Sequence, residues 1–230
     1  MTHATLRIIR EEHAALAAML DSILLLLAEH HRHGTLPDFG ALRAMLFYVD
    51  EFPEKRHHRK ETQLLFPKLR ARSPLAGDVL DHLDCDHASG EKSIRDLEHD
   101  LLAFEMMGES RRQAFEQAAA GYVSFYRAHM AMEEKHILPL AEKVLTDEDW
   151  RELDLAFGAN LDPLTGHQPD QVYKALFTRI VNIVPAPIGL GESSRTDALR
   201  KGTGTGTGTG KGKGITAWLH PNRSKSHETS

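Results

Sequence analysis

Four long stretches of the chain place their inward residues at helical spacing, the first and third at alternating steps of three and four, as in helices that each bury one stripe. Leu6, Ile9, His13, Leu16, Leu20, Ile23 and Leu27 form the first seam, which Gly34 to Pro37 bring to an end. The second runs from about Phe39 to Leu69 and turns Leu42, Leu46, Val49, His57, Glu61 and Leu65 inward. Pro53 lies one turn before His57 and predicts a kink, because proline lacks the N–H and clashes with the preceding turn. The third is the most regular: Leu80, Leu83, His87, Gly90, Ile94, Leu97, Leu101 and Phe104. Gly90, one turn after His87, leaves room for a close approach. After Gly108 and Ser110 a fourth stretch, about Arg111 to Val144, carries Phe115, Tyr122, Phe125, His129, Glu133, His136 and Leu140 inward.

Two of these stretches are versions of each other. His57-His58-Arg59-Lys60-Glu61-Thr62-Gln63-Leu64-Leu65-Phe66-Pro67 and His129-Met130-Ala131-Met132-Glu133-Glu134-Lys135-His136-Ile137-Leu138-Pro139 each have a His, a Glu four on and a Pro ten on. The copies are 72 residues apart, and the seam histidines His13 and His87 are 74 apart. The repeating unit is therefore a helical hairpin. The expected fold is all-α, an up-down-up-down four-helix bundle over residues 1–145. Thr146-Asp147-Glu148-Asp149 reads as a helix start leading through Phe157. Val172, Leu176, Phe177, Ile180 and Val181 suggest another amphipathic helix, so 146–191 is expected to be a helical extension packed on the bundle. Residues 192–230, in which Gly202 to Gly214 alternate glycine with Thr or Lys, carry seven basic and three acidic residues and are expected to form a disordered tail.

Composition narrows the setting. The chain has 230 residues, is 41% hydrophobic and only 7% aromatic, which suits helices. Its single cysteine, Cys85, excludes an internal disulfide framework and makes the cytoplasm the default compartment. A net charge of −5 gives no reason to expect nucleic acid, and the longest apolar run, Ile23 to Ala28, is too short to expect a membrane span.

The polar seam residues carry the chemistry. A His and a Glu four apart share one helix face. In an up-down bundle His13, His57, Glu61, His87, His129 and Glu133 all fall in one layer, roughly 15 Å from one end at ~1.5 Å per residue. Buried carboxylates are costly without a positive partner. Four imidazoles and two carboxylates in one layer fit a pair of metal ions, with iron favoured by ligands of this type. His58, Glu134, His82 and His99 are expected to face solvent, and Glu91, four after His87, to lie outside the ligand set. Tyr122 and Tyr126 precede His129 by one to two turns.

This constellation resembles the hemerythrin HHE cation-binding family: His13, His57-x-x-x-Glu61 before Leu-Phe-Pro, His87, and His129-x-x-x-Glu133 before Leu-Pro. The resemblance implies a non-haem centre of two Fe per chain that meets O2, peroxide or a similar small ligand. Oxygen-carrying members have five histidines, with a His-x-x-x-His pair on the third helix, where this chain has Leu83 and Glu91 around His87. One imidazole short, the site is closer to members linked to iron sensing or peroxide chemistry than to reversible O2 carriage. Two alternatives stay open. One is a sensing or storage bundle without turnover, so the residues leave open whether this is an enzyme. The other is a ferritin-like carboxylate site built on Glu54-x-x-His57 and Glu133-x-x-His136, whose copies are out of step with the hairpin repeat.

Overall fold

The computed structural model describes residues 3–183; the expected tail at 192–230 lies outside the described residues. Four antiparallel rods form the bundle. The first is α1 (Ala4–His33). The second is composite: α2 (Phe39–Val49), a π-helical turn over Asp50–His58, another over Glu61–Leu65, then α3 (Phe66–Arg72). The third is α4 (Gly77–Met107), and the fourth joins α5 (Glu109–Met132), a π turn over Glu133–Ile137, and α6 (Leu138–Val144). Among the described residues there is no strand.

Short connections force neighbouring rods antiparallel. Gly34, at φ 61°, sends its N–H back to His30 and His31 and ends α1 in the left-handed region that suits glycine. The Asp38 carboxylate then caps α2 by accepting from the Ala41 N–H at 2.8 Å. Pro53 sits inside the first π turn, where the wider spiral absorbs the kink expected from its missing N–H.

The apolar seam is interrupted at one level. On one side lies a cluster including Leu16, Leu20, Leu42, Leu46, Tyr48, Ile94, Phe104 and Phe115. On the other lies a second, with Leu6, Ile9, Leu65, Phe66, Leu83, Ile137, Trp150 and Phe157. The polar layer separates them: His13 falls between Ile9 and Leu16 on α1, and His87 between Leu83 and Ile94 on α4. By length and composition α1 would pass for a bilayer span; in the bundle its apolar stripe forms core.

Beyond the rods, α7 (Asp147–Gly158) begins with a Thr146–Asp149 capping box and packs on α1. His3 stacks on Trp150 at 4.1 Å, and the Thr5 hydroxyl donates to Asp154 at 2.6 Å. The last helix among the described residues, α8 (Lys174–Ile183), buries Phe177, Ile180 and Val181 against α2. Val172, expected on that apolar face, precedes the helix and is exposed.

Candidate metal centre

All six expected seam residues come together, and a seventh joins them. His13, His57, Glu61 and Glu133 offer one ligand atom each within 4.8 Å of one another; so do His58, Glu61, His87 and His129. Glu61 spans the two groups, its Oε1 lying 3.1 Å from His57 Nε2 and its Oε2 lying 3.5 Å from His87 Nε2. Glu133 does likewise, with Oε2 3.1 Å from His13 Nε2 and Oε1 3.8 Å from His87 Nε2. The Nε2 atoms of His87 and His129 face each other at 3.2 Å.

These atoms converge without satisfying one another. The Nε2 atoms of His13, His57 and His58 and all four carboxylate oxygens of Glu61 and Glu133 are buried without a hydrogen-bond partner. Buried polar groups are ordinarily paired, and leaving a carboxylate unpaired costs several kcal/mol. Unpaired lone pairs facing one point are the donor set of a cation.

The outer nitrogens are organised just as completely. His57 Nδ1 pairs with Glu12 at 2.6 Å, His129 with Asp86 at 3.3 Å, His13 with Glu134 at 3.1 Å and His58 with Glu54 at 3.1 Å. His87 Nδ1 meets the Thr62 hydroxyl at 2.8 Å. A carboxylate only accepts, so those four rings donate Nδ1–H and, when neutral, present Nε2 as a lone pair.

The two halves differ electrostatically. Burial opposes charge on His13, but Glu133 and Glu134 outweigh it and leave its pKa raised. At His57 burial is likewise overcome by Glu61 and Glu12, which push the pKa well up. Burial wins at His58, reinforced by His57 and His129, and holds that ring well below its usual range. It also brings His87 down to about 3, with His58 adding to the effect. One half is therefore anion-rich, while in the other burial keeps His58 and His87 neutral.

Glu54 links the second half to two phenols. Its Oε2 faces His58 Nδ1, while its Oε1 accepts from the Tyr122 hydroxyl at 2.9 Å and from Tyr126. Burial raises the Glu54 pKa, and the two tyrosines offset part of that rise. Gly90 provides the space for this contact: a Cβ there would overlap the Tyr126 hydroxyl and lie 3.1 Å from Glu54 Oε1. The close approach expected at Gly90 is a side chain from α5.

Two openings reach the layer. A small cavity beside His13 and His57 is lined by Glu12, Leu16, Phe52, Arg56, Asn160 and Asp162, among others. A shallower groove between the second rod and α4 runs past Glu54, Arg59, Thr62 and Glu91 to His58 and His87.

Several expectations are corrected. His58 is buried at 2% exposure among the ligands, so the site has five imidazoles, and the inference drawn from a missing fifth no longer holds. The signal was present: its repeat counterpart is the apolar Met130, which is also buried, because the inward stripe is wider than a single seam. His136 is exposed and Ile137 buried, since the π turn over Glu133–Ile137 adds a residue to that turn. With His136 outside and Glu54 engaged by His58 and tyrosines, the ferritin-like pairing is not assembled. Glu134 does lie at the surface, but reaches in to His13. His82, His99 and Glu91 are exposed, Glu91 pairing with Arg95.

Comparison with known proteins agrees with this geometry. The Hemerythrin HHE cation binding domain matches residues 4–141, from the start of α1 into α6. No curated protein and no solved structure matches the chain. Holding the His and Glu residues of that domain's bundle in one buried layer, the chain belongs to the hemerythrin HHE cation-binding family.

Proposed function

We propose that this is a cytoplasmic non-haem di-iron protein that takes O2 or peroxide at the half of the site formed by His13 and His57. The observation that carries the reading is the set of five imidazoles and two carboxylates aimed inward, with three of the imidazole nitrogens and all four carboxylate oxygens buried without a hydrogen-bond partner. The donor count favours iron over zinc. Five nitrogens and four oxygens for two ions exceed the roughly four ligands per ion that zinc sites use, and suit octahedral metals.

Bound iron would supply redox chemistry toward a small oxidant. The chain's own residues decide where that oxidant goes. His58, His87 and His129 give one half three nitrogens; His13 and His57 give the other two, so an exogenous ligand has room there. The cavity lies on that side. Leu16, Phe52 and Pro53 make its wall mostly apolar and restrict it to small molecules, with Glu12, Arg56, Asn160 and Asp162 at its edge. Asp162, whose pKa burial raises to about 6, could pass protons to a small oxidant there, and bound iron would supply the two electrons that take H2O2 to two waters, which supports consumption of peroxide over reversible O2 carriage. The free, exposed Cys85 suits a reducing compartment.

Stopped-flow spectra of the reduced, iron-loaded chain mixed with O2 and then purged with argon test this reading. Irreversible oxidation, with hydrogen peroxide consumed faster than by free iron, is expected. An oxygenated spectrum that reverses on purging would make the protein a carrier or sensor.

A further inference from the structure

We propose that Asn160 is a positioning residue for the His13–His57 half of the site, so that the segment following the family domain completes the metal centre. This inference rests on the di-iron reading but concerns residues that the family match, ending at residue 141, does not include.

The geometry is a chain of three contacts. Asn160 is buried at 3% exposure, and its Nδ2 donates to Glu12 Oε2 at 2.8 Å. That same oxygen accepts from His57 Nδ1 at 2.6 Å. On its other face, Asn160 Oδ1 accepts from the Lys60 ammonium, which also donates to the Ala156 carbonyl at 2.7 Å. The amide has one orientation: a carboxylate can only accept and an ammonium only donate, so its two ends cannot be exchanged.

The surroundings are built to hold that corner. The Asn160 N–H bonds to the Phe157 carbonyl at 2.9 Å, and the Phe157 ring packs edge-on against His57 at 6.0 Å. The next residue, Leu161, has φ 49°, a conformation disfavoured for any residue with a Cβ. Asp162 then caps the following turn through the Leu164 N–H at 2.9 Å and accepts from the Tyr48 hydroxyl at 2.7 Å. Asn160 and Asp162 both line the cavity beside His13 and His57.

Comparison within the molecule shows what this adds. Asp86 stands to His129 as Glu12 stands to His57, each being the residue before a ligand histidine. Asp86 is half-buried, near the exposed His82 at 3.7 Å. Glu12 is buried, and Asn160 supplies the donor that solvent or His82 offers Asp86. Without Asn160, Glu12 loses a fixed direction, and His57 loses its aim.

Outer partners of this kind typically change metal affinity by about 10–100-fold. The test is timed release of iron from the iron-loaded full chain under a strong chelator, read as metal per chain. Wild type, Asn160→Leu, Lys60→Met and Leu153→Ala are compared, with the melting temperature of each metal-free form. Leu153 is buried in the same segment, in the apolar cluster with Trp150 and Phe157, and has no polar side-chain atom to join the hydrogen-bonded chain, so it reports loss of packing. Asn160→Leu is expected to release one of two irons about tenfold faster and leave the other unchanged. Lys60→Met, which frees the amide from its partly exposed side, gives a smaller effect of the same selectivity and serves if Asn160→Leu does not fold. The inference is overturned if both variants release iron as wild type does, if both irons leave equally fast, or if Leu153→Ala reproduces the selective loss. Wild type that holds no iron at all would instead sink the di-iron reading.

Discussion

The two hairpins of the bundle build the same cage from corresponding positions and then diverge. His57 and Glu61 in the first correspond to His129 and Glu133 in the second, and His13 to His87. The outer partners correspond too. Glu12 holds His57 as Asp86 holds His129, and Glu134 faces His13 as its repeat counterpart Thr62 faces His87. Even the π turns over Glu61–Leu65 and Glu133–Ile137 are in register. The asymmetry enters at two repeat positions: His58 against Met130, and Glu54 against Tyr126. Glu54 and Tyr126 bond each other across the bundle, and His58 takes the other oxygen of Glu54. A repeated hairpin thus gives a near-symmetric donor set, and one histidine with its partner makes the halves unequal.

The sharpest way to break that comparison is to restore the symmetry. His58→Met removes the third nitrogen of its half and leaves Glu54 with its tyrosines. Iron content is expected to fall from about two per chain toward one, measured by elemental analysis beside the apoprotein melting curve. Retention of both irons would place His58 outside the ligand set.

A large but purely structural effect is expected at Gly90, whose repeat counterpart is Leu16. A Cβ there overlaps the Tyr126 hydroxyl and meets its Cζ at 2.8 Å, so Gly90→Ala should destabilise the metal-free chain by about 3 kcal/mol. Adding Tyr126→Phe should recover only part of this, since Cζ remains. Denaturant titration of the single and double variants checks both statements.

Asp162 sharpens the comparison from the side of the appended segment. Burial raises its pKa from 3.8 to about 6, against the opposing effect of the Tyr48 hydrogen bond. The folded state therefore holds that proton more tightly than the unfolded chain. The associated stability is fully present below about pH 3.8 and is lost as pH rises through about 6. Asp162→Asn mimics the protonated form, so the variant should gain on wild type by on the order of 2 kcal/mol between pH 4 and pH 7. A difference independent of pH would remove Asp162 from the account. The smallest effect belongs to Glu91→Ala, where the residue is exposed and paired with Arg95: two irons retained, and stability within about 0.5 kcal/mol.

Much of this was legible along the chain because the bundle is built on regular periodicity. The eight inward residues expected on α4 are its eight buried ones, and all seven expected on α1 are buried. What the periodicity did not carry has particular causes. His58 lies beside the seam, on a stripe wider than one row of residues. His136 gave way to Ile137 because a π turn breaks the count that an α-helix keeps. Asn160 reaches Glu12 across 148 residues from a segment with no repeat, and local spacing holds no trace of such a contact.

The central claim is that one chain closes five imidazoles and two carboxylates around two irons. Elemental analysis of the full chain, purified without added metal and again after anaerobic loading with ferrous iron, tests it most directly. The account predicts iron as purified and saturation at two per chain. About one zinc per chain with no iron taken up would contradict it.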